Sequence, residues 1–105
     1  MTRALLISFM LALLPATSAI AEKVRLAVTS SFHNSGLSDH LIPHIEADLE
    51  IDIQLIVVGT GQAIKLGENG DVDAILVHSK PDEEEFVKTG FAKHRREIMF
   101  NEYVI

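Results

Sequence analysis

Apolar residues occur along the chain in two different patterns. Three runs, residues 24–29, Ile51–Val58 and 74–77, are short and rich in aliphatic and β-branched side chains, which is typical of strands. In Leu37–Leu49, by contrast, apolar residues recur mostly every four positions and form one stripe of a helix. The second run ends continuously apolar, so we expect it to be buried on both faces, and we expect 74–77 to be a buried strand as well.

The first predicted helix has two features that bear on its boundaries. Asn34 or Ser35 is the expected N-cap, because a short polar side chain can accept a hydrogen bond from the first turn. Pro43 lies inside the apolar stripe and removes one backbone donor, so we expect a kink or a break between Asp39 and Pro43.

Two further helices and a fourth strand are predicted in the second half of the chain. One helix should begin within 59–63 and end at 67–70, whose glycines suit left-handed C-terminal positions. Another should follow residues 79–82, which resemble a capping box, and run to about Lys88. Residues 98–105 are apolar and strand-like up to the last residue.

Strands and helices therefore alternate at short connections. This order predicts an α/β fold, a parallel sheet with flanking helices and right-handed crossovers. In open sheets of this class, ligands bind outside the carboxyl ends of the strands, where the helices begin. These ends are therefore the place to look for a site.

The first 21 residues resemble a secretory signal peptide. Arg3 provides the positive charge of the n-region, and residues 4–14 form the apolar run that follows it. Ala19 and Ala21 are the two small residues of a small-x-small cleavage site. The alternative is a membrane anchor, but a spanning helix needs about 20 apolar residues. We expect cleavage after Ala21 and a mature chain, residues 22–105, that does not span a membrane.

Composition excludes several classes of function. The chain has no cysteine, which rules out disulfides, thiolate metal sites and a cysteine nucleophile. Its formal net charge is −6 and only 6% of its residues are aromatic, so it has neither a basic surface nor a stacking platform for nucleic acid. We expect no nucleic-acid partner.

Hydroxyl-bearing residues and glycines follow two of the predicted strands. Ser30 and Ser31 follow the first strand, and Gly59, Thr60 and Gly61 follow the second. A helix N-terminus offers unpaired N–H groups and a partial positive charge, hydroxyls add neutral donors, and glycine allows close approach. These turns are candidates for binding a small anion. Ordinary helix capping is the alternative role of the same residues.

The sequence also contains residues that other kinds of function use. His40 and His44 are four residues apart on the first predicted helix, which is the spacing of a two-histidine metal clasp, although H-E-x-x-H is absent and a solvated helix face explains them as well. A hydrolase is disfavoured because no G-x-S-x-G motif occurs. We expect no enzymatic activity.

The same strand ends carry motifs of a known family. T-S-S-x-x-x-S-G-L at 29–37, V-G-T-G-Q-A at 58–63 and L-G-E-N-G-D at 66–71 resemble the periplasmic tungstate-binding proteins of ABC transporters. The resemblance continues through 76–78 and 99–105 and so covers nearly the whole mature chain. The second and third blocks are long and specific, whereas related molybdate and sulfate receptors carry turns similar to the first.

The resemblance implies a fold and a function. The fold is the type 2 periplasmic-binding-protein fold, in which two α/β lobes close on a tetrahedral oxyanion, and residues 22–105 correspond to the first lobe. Hydroxyls and backbone N–H groups would come from the turns at Ser31 and Thr60, with an arginine at Arg95 or Arg96. The protein would capture tungstate or molybdate in the periplasm and deliver it to a membrane permease, with no cofactor.

The chain departs from the family in three respects. Val28 replaces the first of a run of threonines, and Glu50 occupies the place of the glycine that usually ends the first helix. The family's chains are more than twice as long, so the second lobe is expected to be absent. A truncated, non-functional product and a histidine-using divalent-metal receptor are the alternatives to an oxyanion receptor.

Overall fold

The computed structural model describes residues 20–100 and Val104. Three strands, β1 (Glu22–Thr29), β2 (Ile51–Val58) and β3 (Ala74–Leu76), form a parallel sheet in the order β2-β1-β3. β1 pairs with β2 along its whole length and with β3 only near its carboxyl end. The predicted α/β fold with a parallel sheet is confirmed.

Four helices connect or follow these strands: α1 (Ser30–Asn34), α2 (Leu37–Leu49), α3 (Thr60–Glu68) and α4 (Lys80–Lys88). None of the helices in the described part of the chain is long and apolar enough to cross a membrane. The predicted signal peptide lies outside the described residues, except for its last two.

α2 and α3 cover opposite faces of the sheet. Ala27 of β1 is fully buried and packs with Ala63 of α3. Its neighbour Leu26 lines a cavity together with Leu41 of α2. Because successive side chains of a strand point to opposite faces, the two helices flank the sheet on either side. The buried core lies on the α3 side, around Ala27, Ala63 and Val72.

The predicted burial of two strands is wrong. Residues of β2 are alternately exposed and half-buried along most of the strand, and Val57 is 40% exposed. In β3, Ala74 is exposed and the strand ends at Leu76, one residue earlier than expected. The reason is the strand order: β1 is central in the described sheet, whereas β2 and β3 form its edges. Accordingly, Ala27 and Val28 of β1 are fully buried.

The polar stretch after β1 forms a helix of its own, which the apolar pattern did not predict. Thr29 is the N-cap of α1, and its side chain accepts a hydrogen bond from the Phe32 amide. Ser35 ends this short helix, and Gly36, with φ of +85°, is the N-cap of α2. The expected N-cap at Asn34 or Ser35 is therefore wrong, because both residues belong to the preceding turn.

α2 runs through Pro43 without interruption, so the predicted break is wrong. Proline removes the hydrogen bond to the carbonyl of Asp39, but Asp39 and Pro43 are both exposed, so water can solvate that carbonyl. The helix ends at Glu50, which has φ of +54° and is the one non-glycine residue with positive φ in the described chain.

α3 and α4 end at glycines, as predicted. Gly70 and Gly90 have φ of +74° and +90° after their respective helices. Gly67, in contrast, is helical and lies under the ring of Phe86, where a Cβ atom would come within 2.7 Å of Phe86 Cζ. At the start of α4, the Ser79 hydroxyl donates to the Asp82 carboxylate at 2.6 Å rather than capping a backbone amide, so the predicted capping box is incomplete.

The described residues at the start of the predicted fourth strand, 98–100, are not in a strand. Ile98 and Met99 instead line a cavity of about 330 Å³ together with Phe32 of α1 and apolar side chains of α2. Residues 101–103 and 105 of this prediction lie outside the described residues. The side chains of Ile98 and Met99 nevertheless remain exposed, since the exposed fraction is 59% for Ile98 and 49% for Met99.

Candidate anion-binding site

The carboxyl ends of β1 and β2 bring four of the predicted site residues, Ser30, Ser31, Thr60 and Gly61, to one edge of the sheet. Thr29 pairs with Val58, so Ser30 and Gly59 follow neighbouring strands, whose backbones are about 5 Å apart. α1 begins at Ser30 directly after β1, and α3 begins at Thr60, one residue after β2. The helices that follow β1 and β2 lie on opposite faces of the sheet, and in open α/β sheets ligands bind between two such strand ends.

The first turn of α3 offers unpaired backbone donors. Gly59 is its N-cap in an extended conformation and has no side chain with which to cap the helix. The Ala63 amide donates to the Gly59 carbonyl at 2.9 Å, which closes the first helical hydrogen bond. The amides of the residues between them have no intrahelical acceptor. They give this end of α3 a partial positive charge.

The side-chain hydroxyl of Thr60 is buried and has no hydrogen-bond partner among the described residues. A buried, unsatisfied hydroxyl costs about 1–3 kcal/mol. Rotation about the Cβ–Oγ1 bond orients the proton of this hydroxyl, so it can donate to an acceptor bound within hydrogen-bond distance.

Two further hydroxyls lie close together at the end of β1. Thr29 is 4% exposed, and its Oγ1 atom lies 3.1 Å from the Oγ atom of Ser31. The same Oγ1 atom accepts from the Phe32 amide at 3.4 Å. Ser30 and Ser31 are exposed, whereas Thr29, whose hydroxyl contacts that of Ser31, is buried. Thr29 is not among the residues that the sequence predicts to bind the anion, although a threonine directly before a helix is a recognisable N-cap signal.

The two candidate arginines have different surroundings. Arg95 Nε lies 3.1 Å from Glu83 Oε1, and one of its terminal nitrogens lies 3.5 Å from Glu97 Oε1. Arg96 is exposed and lines the cavity that Phe32 of α1 also lines. The guanidinium of Arg95 is thus already paired with carboxylates, whereas Arg96 shares a cavity with one residue of α1.

The two histidines of the metal hypothesis are exposed on α2. The ring centroids of His40 and His44 are 5.4 Å apart in an edge-to-face arrangement. Within residues 20–100 and Val104, no group of three or more histidine, aspartate or glutamate side chains is placed to hold a metal ion. A metal bound by this pair would therefore have only two protein ligands from the described chain.

These features, a parallel sheet with opposed helices and hydroxyls at the strand ends, are those of an α/β solute-binding lobe. The PBP superfamily domain matches residues 15–105, and the chain belongs to this superfamily. The chain is similar to the tungstate-binding protein TupA of Peptoclostridium acidaminophilum, with 44% identity over 80 residues, which cover 76% of this chain and 28% of that protein.

Two solved structures show the same likeness. The tungstate-binding protein TupA from Desulfovibrio alaskensis G20 has a TM-score of 0.69 and 44% identity, over 71% of this chain and 30% of that one. The tungstate ABC transporter structure from Geobacter sulfurreducens has a TM-score of 0.64 and 43% identity, over 68% and 31% of the two chains. The chain thus spans less than a third of the length of these relatives.

Proposed function

We propose that this chain contributes to the solute-binding component of an ABC transporter and that it binds tungstate or molybdate. Residues 22–105 supply one lobe of the binding cleft in this proposal. The names of the similar proteins support tungstate as the ligand and an ABC transporter as the system. Tungstate and molybdate have the same tetrahedral shape and charge, so the same donors serve both.

The observation that carries the proposal is the buried hydroxyl of Thr60 at the N-terminus of α3. This hydroxyl has no hydrogen-bond partner in the described part of the chain and lies beside backbone amides that also have no intrahelical acceptor. Together these groups can donate hydrogen bonds to a bound anion. Ser31 adds a second hydroxyl from the neighbouring strand end. Gly61 leaves room for the anion to approach the backbone, because no atom outside its own helical turn lies within 4 Å of the position that a Cβ would take. Ser30 is the remaining hydroxyl donor.

The negative charge of the chain does not oppose this function. Neutral dipoles that converge on an anion stabilise it without a compensating full charge. The formal charge of −6 acts mainly through long-range repulsion, which is screened beyond about 8 Å at physiological ionic strength. We assign the one cationic contact to Arg96 rather than to Arg95, because Arg95 is paired with Glu83 and Glu97.

The transport system implies a location and a partner. We propose that the protein is exported to the periplasm, that it delivers the anion to a membrane permease, and that it has no catalytic role. Export requires removal of residues 1–21, so the intact mass of the protein from a periplasmic extract should correspond to a chain that begins at Glu22. A mass that retains Met1 would contradict export by a cleaved signal peptide.

One calorimetric series tests the proposed ligand. The secreted protein is titrated with tungstate, molybdate, sulfate and Zn²⁺ under the same conditions. We expect heat of binding with tungstate and molybdate, and its loss when Ser31 and Thr60 are replaced together by alanine and valine. Binding of Zn²⁺ alone, abolished by His40→Ala with His44→Ala, would favour the metal hypothesis instead.

A further inference from the structure

His33 makes a hydrogen bond that joins two helices near the proposed site. Its Nδ1 atom lies 2.7 Å from the Oγ atom of Ser38, which is 1% exposed in the first turn of α2. His33 itself belongs to α1, two residues after Ser31. A side chain of α1 is therefore fixed to a buried atom of α2.

α1 needs such a contact because it is short. A helix of five residues is not stable by its own hydrogen bonds, so side-chain contacts must determine its orientation. At its start, the Thr29 hydroxyl accepts from the Phe32 amide. Toward its end, His33 bonds to Ser38 of α2, and the Ser35 hydroxyl at the C-cap of α1 accepts from the Leu37 amide at 3.3 Å. The backbone of Ser31 lies between these two fixed points, and its carbonyl accepts from the Ser35 amide at 3.1 Å.

We infer that His33 is a positioning residue for oxyanion binding, which acts on the anion only by holding the Ser31 hydroxyl in place through Ser38. This inference rests on the proposed function. The imidazole does not need to touch the anion for this role. Removal of the imidazole would leave the Ser38 hydroxyl buried without its partner and would remove the bond that fixes the His33 side chain to α2.

A set of variants of the secreted protein separates this role from a general effect on stability. His33→Leu should weaken tungstate binding about fivefold, because one fixed point of α1 is lost. His33→Asn should restore binding to within about twofold of the wild type, because an amide can occupy the place of Nδ1 and bond to Ser38. His40→Leu, on the exposed face of α2, is the matched control and should leave the affinity unchanged.

The decisive readout is the coupling between His33 and Ser31, measured by calorimetry with tungstate. In the Ser31→Ala background, His33→Leu should cause no further loss of affinity, because the group that it positions is gone. Ser38→Ala provides a second way to break the contact and should reproduce the effect of His33→Leu. Equal losses from His33→Leu in both backgrounds, or no loss in the wild-type background, would overturn this inference and leave the proposed function intact. Failure of the wild-type protein to bind tungstate would overturn both.

Discussion

The Oγ1 atom of Thr29 lies 3.1 Å from the Oγ atom of Ser31 and connects the buried end of β1 to the exposed first turn of α1. Thr29 is held by the sheet and is 4% exposed, so its position is fixed by packing. Ser31 is exposed and available to a ligand. The pair thus gives a surface hydroxyl a defined orientation before any ligand is bound.

Ser31→Ala should weaken tungstate binding by about 1–3 kcal/mol, which is the usual effect of removing a donor to a charged acceptor. The melting temperature without tungstate should hardly change, because the Ser31 side chain is exposed. Calorimetric titration and thermal unfolding measure the two quantities. Ser79→Ala, which removes a hydroxyl bonded to Asp82, is the control and should leave tungstate binding unchanged. Equal affinities of the Ser31 variant and the wild type would remove Ser31 from the site.

Thr60→Val should have opposite effects on stability and on binding. Valine replaces the unpaired buried hydroxyl by a methyl group of similar size, so the anion-free protein should become more stable by about 1 kcal/mol. Tungstate affinity should fall roughly tenfold, because a donor at the α3 terminus is lost. Denaturant unfolding with and without tungstate measures both effects.

Thr89→Val is a matched control for this substitution. The Thr89 hydroxyl donates to the Glu85 carbonyl at 2.8 Å, so its removal should destabilise the protein slightly and leave tungstate binding unchanged. A Thr60→Val variant that loses stability as Thr89→Val does would show that its hydroxyl has a protein partner.

Arg95→Gln and Arg96→Gln should separate stability from binding. Arg95 is 22% exposed and Glu83 is 17% exposed, so breaking this pair should cost about 0.5–1 kcal/mol of stability with no loss of tungstate affinity. Arg96→Gln should reduce the affinity roughly tenfold, and this loss should shrink as the salt concentration rises. A loss of affinity in the Arg95 variant alone would reverse the assignment.

Glu50→Gly should raise the stability of the protein by about 1 kcal/mol. Glu50 ends α2 with φ of +54°, a conformation in which a Cβ atom is unfavourable and glycine is not strained. Glu50 precedes β2, whereas the candidate site follows the other end of this strand, so tungstate affinity should stay the same. Thermal unfolding checks the gain, and a decrease in melting temperature would show that the glutamate side chain makes a compensating interaction.

Periodicity predicted the elements whose apolar residues repeat regularly. The four-residue stripe identified α2, and the β-branched runs identified all three strands within about two residues. Glycines after α3 and α4 were predicted correctly because left-handed C-terminal positions favour that residue. The same preference explains the glycine that the family usually has at position 50, because Glu50 has a positive φ.

Features that depend on three-dimensional neighbours could not be predicted. α1 contains one apolar residue, Phe32, and its stability comes from Thr29 and from the contact between His33 and Ser38, which no periodicity shows. Burial of β2 was overestimated because a run of apolar residues does not reveal whether a strand is central or at an edge. Similarly, the separation of Arg95 from Arg96 depends on which carboxylates lie nearby.

Residue-resolved NMR titration of the secreted protein with tungstate tests the central claim most directly. Amide signals of Ser30, Ser31, Thr60 and Gly61 should shift together and saturate at one common concentration, because these residues surround one anion. Sulfate at the same concentration serves as the comparison for a non-specific ionic effect. If the amide signals of both strand-end turns stay unchanged, or if only those of His40 and His44 on α2 shift, the result would contradict an oxyanion site between α1 and α3.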